Sequence, residues 1–187
     1  GRETARNYLA MGSGVYESSM PGEHASVPLS IIRRLRGGEG EPRLLTATST
    51  VDLFVNEASC QGIAAAAANL TAASVSVRPA APPAYLKKKK KRTLHAKFIF
   101  SASETGHSEK TASPWLYLGS GNLTRQGFTL KMGRSTGNLE AGVVFAPTPL
   151  NWYPTKSGGA DPESIGYYLP IQWELECVPE TLQQGKD

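Results

Sequence analysis

"LHAKFIF", residues 94–100, follows the basic run "KKKKKR" and precedes the polar stretch "SASETGHSEKTAS". Its alternation reads as a β-strand, in which residues i and i+2 share a face. Leu94, Ala96, Phe98 and Phe100 fall on one side, and His95, Lys97 and Ile99 on the other. An unpaired lysine on a buried strand face is costly. The second face must therefore meet water or something anionic.

Outward from this strand, helical and extended segments alternate. "SVPLSIIRRLRGG" (26–38) carries a cap candidate in Ser26, an early Pro28, apolar Leu29, Ile32 and Leu35, and a glycine stop. These are the signals of a short helix. "PRLLTATSTVDLFV" (42–55) reads as a strand with its loop, and "NEASCQGIAAAAANLTA" (56–72) as an alanine-rich helix starting near Asn56 or Glu57. "SVSVRP" (74–79) is a short strand ended by proline, and "AAPPAYLKKKKKR" (80–92) a linker-like loop. The polar residues 101–113 read as an exposed loop, and "PWLYLGS" (114–120) as a strand. "GNLTRQGFTL" (121–130) begins like a helix, with Ser120 or Asn122 as cap, and "NLEAGVVFAP" (138–147) is a further strand. The alternation predicts an α/β layered domain over 27–147. Residues 1–26 are expected to be irregular or to hold a short strand. The Pro- and Gly-rich tail 148–187 is expected to pack on the domain, mostly without regular structure. Asp52, near a strand end, reads as a loop cap or a site-edge residue.

With 187 residues, 40% hydrophobic and 19% charged, the composition is that of an ordinary globular protein. No run of 18 apolar residues suggests a membrane span. The first residues, "GRETARNYLAMGSG", have neither an initiator Met nor a signal-peptide core, and read as part of something longer. Cys60 and Cys177 lie far apart and form neither metal-ligand spacing nor a disulfide framework. Two reduced, buried thiols in a cytoplasmic protein are the expectation. The net charge of +4 and pI near 9.1 suit a polyanionic partner without requiring one.

Three segments carry chemistry. His95 and Lys97 offer an imidazole and an ammonium. Gly119, Ser120 and Gly121 end a strand with small residues that let a ligand approach backbone at a helix start, and Asn122 adds an amide donor. Glu140 supplies a carboxylate that could orient an imidazole. Together they suit a tetrahedral phosphodiester. Histidine can attack phosphorus, while lysine and asparagine hold the oxygens that gain negative charge. No His/Cys/Asp cluster calls for a metal, and no cofactor is expected.

These segments, "LHAKFIF … WLYLGSGNLTRQGF … NLEAGVVF", resemble the phospholipase D superfamily over Thr93 to Pro147. That family's motif is H-x-K, an acid five residues later, then G-S-x-N. His95, Lys97, Gly119, Ser120 and Asn122 match, while the acidic position falls on Ala102. The missing acid and the long gap resemble the C-terminal half of tyrosyl-DNA phosphodiesterase-like and nuclease-like members, and "YYLPIQW" (167–173) resembles their tail. The resemblance implies a mixed central sheet flanked by helices and a metal-independent, two-step reaction through phosphohistidine. His95 would be nucleophile or acid/base, with Lys97, Asn122 and Glu140 completing the catalytic set and Gly119, Ser120, Gly121 and Thr124 binding substrate. Each site needs two motifs. His24 and His107 lack the following lysine, so the second motif would come from a homodimer partner or a missing half.

Three functions are then in competition: a nuclease-like or DNA-repair phosphodiesterase, a phospholipid head-group hydrolase or transferase, and a non-catalytic nucleic-acid-binding module. Lys87, Lys88, Lys89, Lys90, Lys91 and Arg92 form either a solvated loop or a phosphate-backbone grip. Trp115, Tyr117, Trp152, Tyr153 and Trp173 could stack bases, but read more simply as packing. The basic run and the lack of an amphipathic membrane stretch favour nucleic acid.

Overall fold

A computed structural model describes residues 4–16, 25–38, 40–56, 61–83, 86, 95–133, 136–155 and 161–175. Cys60, Cys177, Leu94 and the run 87–92 lie outside the described residues.

The apolar stretch "NYLAM" near the start becomes β1 (Arg6–Gly12), the middle of a six-stranded mixed sheet. Its side chains alternate between two cores. Leu9 and Met11 join one cluster, while Tyr8 and Ala10 join the other. A strand buried on both faces needs no polar alternation, which explains why this one lacks it. The N-terminal segment is thus not irregular throughout, because it supplies the central strand.

The other strands are β2 (Leu45–Val55), β3 (Val75–Pro79), β4 (Lys97–Thr105), β5 (Ser108–Gly119) and β6 (Gly142–Phe145), in the order β3-β2-β1-β4-β5-β6. The pairs β1–β2 and β2–β3 are parallel. The pairs β1–β4, β4–β5 and β5–β6 are antiparallel. Parallel neighbours need crossovers. Helix α1 (Ser26–Arg36) connects β1 to β2, and the pair α2 (Gln61–Ala65) and α3 (Ala67–Ala72) connects β2 to β3. Val27, Ile32, Ile63 and Leu70 from these helices pack with Leu9, Met11, Leu53 and Ile99 on one face. The reverse face buries Phe54, Phe98, Phe100 and Leu116 under Trp152, Ile165, Leu169 and Ile171 of the C-terminal segment. That segment holds one short helix, α4 (Ile165–Tyr168).

Several local expectations are corrected. The cap position of α1 is Ala25, in a left-handed conformation (φ 52°), and Ser26 is the first helical residue. Gly37 ends the helix with φ 71°, as a glycine stop should. The alanine-rich helix is two short pieces broken at Ala66. The polar stretch 101–113 is a hairpin, with β4 and β5 joined by a tight turn at Gly106 and His107. Its polarity reflects an exposed strand pair. Backbone bonds from Thr111 to Leu150 (2.8 Å) and from Trp152 to Glu109 (2.9 Å) hold it against the C-terminal segment. Asp52 is no loop cap. It lies inside β2, only 1% exposed, paired with Arg78 at 2.8 Å and accepting a bond from the Tyr8 hydroxyl at 2.9 Å. Trp173 donates to Tyr8 (2.7 Å), and Arg78 donates to the Trp173 carbonyl (2.8 Å), so this buried charge also ties down the tail.

Candidate anion-binding site at the switch in the sheet

The strand order reverses between β1 and β4, and ligands of open α/β sheets favour the crevice at such a switch. The carboxyl end of β1 meets the start of β4 there, with Gly12 opposite Phe98. On the other side of β4, Lys97 is opposite Gly119, the last residue of β5. Gly119 in turn pairs with Gly142 of β6. Residues opposite one another share a sheet face. The half-buried Lys97 therefore rises between backbone that bears no side chain at Gly119 and the Gly-Ser-Gly turn after β1.

That turn, Gly12–Gly14, duplicates the tripeptide at Gly119–Gly121. The fully buried Ser13 links the two. Its hydroxyl donates to the Val15 carbonyl (2.6 Å), accepts from the Leu123 amide (3.1 Å), and lies 3.4 Å from Asn122 Oδ1. The Leu123 bond holds the backbone beside Asn122 at the end of β1. Ser13 was not among the residues expected in the site. The repeated "GSG" was the signal that could have found it.

Ser120 and Glu140 come together. The Ser120 hydroxyl donates to Glu140 Oε2 (2.5 Å) and accepts from the Ala141 amide (3.0 Å). The Ser120 amide donates to the Ala141 carbonyl (2.9 Å). A Cβ added to Gly121 would meet the Gly127 carbonyl and the Glu140 side chain, so glycine is needed for this packing. Among the described residues, the carboxylate expected to orient His95 is engaged instead by Ser120.

Thr124 does not open an α-helix. It caps a single π-type turn, Arg125–Thr129, and accepts from the Gly127 amide (3.2 Å). No α-helix begins at Ser120 or Asn122.

His95 is exposed and precedes the first residue of β4, and the structure does not bring it to the face of Lys97, because it borders the reverse core instead. It lines a cavity of about 610 Å³ together with Ala80, Ala81, Leu118, Phe145 and Tyr168. Phe100 and Leu116, from the reverse core, also line it. Among the described residues, no group of three or more His, Cys, Asp or Glu could hold a metal. No helix there is long and apolar enough to cross a membrane.

Tyr117 completes the Lys97 side. Cβ atoms at Gly119 or Gly142 would fall on its phenol ring. Phe128 packs edge-on against it, with centroids 5.9 Å apart at 89°. Burial, and secondarily the charge of Glu140, raises its hydroxyl above the usual phenol range.

No family model, no curated protein and no solved structure matches the chain.

Proposed function

We propose that the chain is a phospholipase D-type, metal-independent phosphodiesterase half that acts on nucleic acid by a histidine mechanism. The observation that carries this reading is the β4–β5 register, with Lys97 against Gly119. It joins the two segments of the resemblance, some twenty residues apart, at one end of the sheet. Two further residues of the same register would set His95 against Gly121, beside Glu140, whereas in the structure His95 lies outside β4 and lines the apolar cavity. The reading therefore requires residues 95–96 to extend β4 when substrate binds. The ammonium of Lys97 and the amide of Asn122 then stabilise the charge that builds on phosphorus oxygens. His95 attacks phosphorus or moves the proton of the leaving oxygen. The second motif comes from a homodimer partner or from a half outside this chain.

One observation favours the phospholipid reading. The cavity that His95 lines is walled by Ala80, Pro82, Leu118, Phe145 and Pro147, among others. Such walls suit an apolar substituent better than the polar edge of a nucleobase.

The test uses the longest natural chain, incubated with labelled single-stranded DNA in EDTA. Cleavage that disappears in His95→Ala supports the nuclease reading. Phospholipid turnover without DNA cleavage transfers the assignment to the lipid class. DNA binding without cleavage under any condition leaves a non-catalytic module.

A further inference from the structure

The geometry points to the Tyr117 hydroxyl as a direct hydrogen-bond donor to the oxyanion that Lys97 attracts. This rests on the phosphodiester reading of the site and adds a residue to it.

Two glycines on neighbouring strands give the ring its place. Gly119 and Gly142 are register partners, and a side chain on either would occupy the space of the phenol. The ring thus lies along the sheet toward the strand ends, where Lys97 is the other partner of Gly119. Phe128 closes over it edge-on and fixes its plane. Among the described residues, the hydroxyl has no hydrogen-bond partner and is not sealed from solvent. A tyrosine kept only for packing would do as well as phenylalanine here. A polar tip that lies over Gly119, the register partner of Lys97, in a slot cleared by two glycines, fits a third group that binds both. An oxyanion is such a group, because it accepts from the phenol and pairs with the ammonium. The nearby Glu140 charge and partial burial keep the phenol protonated, which preserves its role as donor.

The experiment measures orthovanadate binding by calorimetry to the wild-type chain, Tyr117→Phe and Lys97→Ala. Phenylalanine retains the ring, so thermal melting should match wild type. Loss of one hydrogen bond to a charged ligand should weaken binding roughly 10-fold or more. A spectrophotometric titration gives a second readout. Bound oxyanion should move ionisation of one tyrosine to higher pH in wild type, and this change should vanish in Tyr117→Phe. If Tyr117→Phe binds as wild type while Lys97→Ala does not, Tyr117 is outside the site and the phosphodiester reading stands. If the wild-type chain itself does not bind orthovanadate, both fall.

Discussion

Lys97 owes its setting to neighbours that carry little or nothing beyond backbone. Gly119 lies opposite on one side, and the turn after Gly12 begins on the other. On the proposed phosphodiesterase reading, the Lys97 ammonium pairs with the oxygens that gain negative charge in the transition state. In an active preparation, Lys97→Ala and Asn122→Ala should each lower kcat by roughly 10²–10³-fold. Their melting temperatures should stay near wild type, and wild-type turnover in either variant contradicts the assigned roles. Tyr8 makes a different residue-scale prediction. Burial first, and then the charge of Asp52, raises its phenol well above the usual range. A folded pKa above the unfolded one means stability is intact below the unfolded value. It is lost as pH rises from about 10 through the folded value. Across that alkaline window, denaturant melts should lose about 1.4 kcal/mol per pH unit from this group. The loss should be smaller in Tyr8→Phe, and an unchanged alkaline slope would remove Tyr8 as its source.

At the scale of the element, β4, β5 and β6 depend on the slot for Tyr117. Gly142→Ala forces a Cβ into the phenol ring, which must shift or leave. Overpacking of this kind costs about 1–3 kcal/mol, and the difference between urea midpoints of the two chains reads it. Tyr117→Ala in the same chain should recover part of the loss, because it empties the slot. Helix α1, strand β2 and strand β3 were legible because their patterns and stops are local. The central strand was harder to read. Its "NYLAM" is buried on both faces and so has no alternation to announce it. The hairpin 101–113 was hidden for the opposite reason, since its polar residues are stabilised by long-range bonds from Leu150 and Trp152. Lys97, Asn122, Ser120 and Glu140 could be singled out from their motifs, and the structure sets Lys97 against Gly119 and gives Glu140 to Ser120 rather than to His95. Ser13 was signalled only by the repeated "GSG", and the setting of Tyr117 could not be read, because it arises from register between distant strands. The helix start expected at Asn122 failed because Thr124 caps a wider turn instead.

The whole molecule is mildly basic, at +4, and its longest positive run is 87–92. If that run grips a nucleic-acid backbone, binding must release counterions. Replacing Lys87–Lys91 and Arg92 with glutamine should then flatten the dependence of log K on log salt. The expected change is about 0.7 per lost phosphate contact on single strands. An unchanged slope identifies the run as a solvated loop. On the reading proposed above, three separated segments form one anion site at the switch between β1 and β4. Its most direct test is an NMR titration of this chain with inorganic phosphate. Saturable shifts should be confined to the amides of Lys97, Gly119–Asn122 and Ser13, and should be lost in Lys97→Ala. Shifts that map elsewhere on the sheet, or none at saturating phosphate, would contradict it.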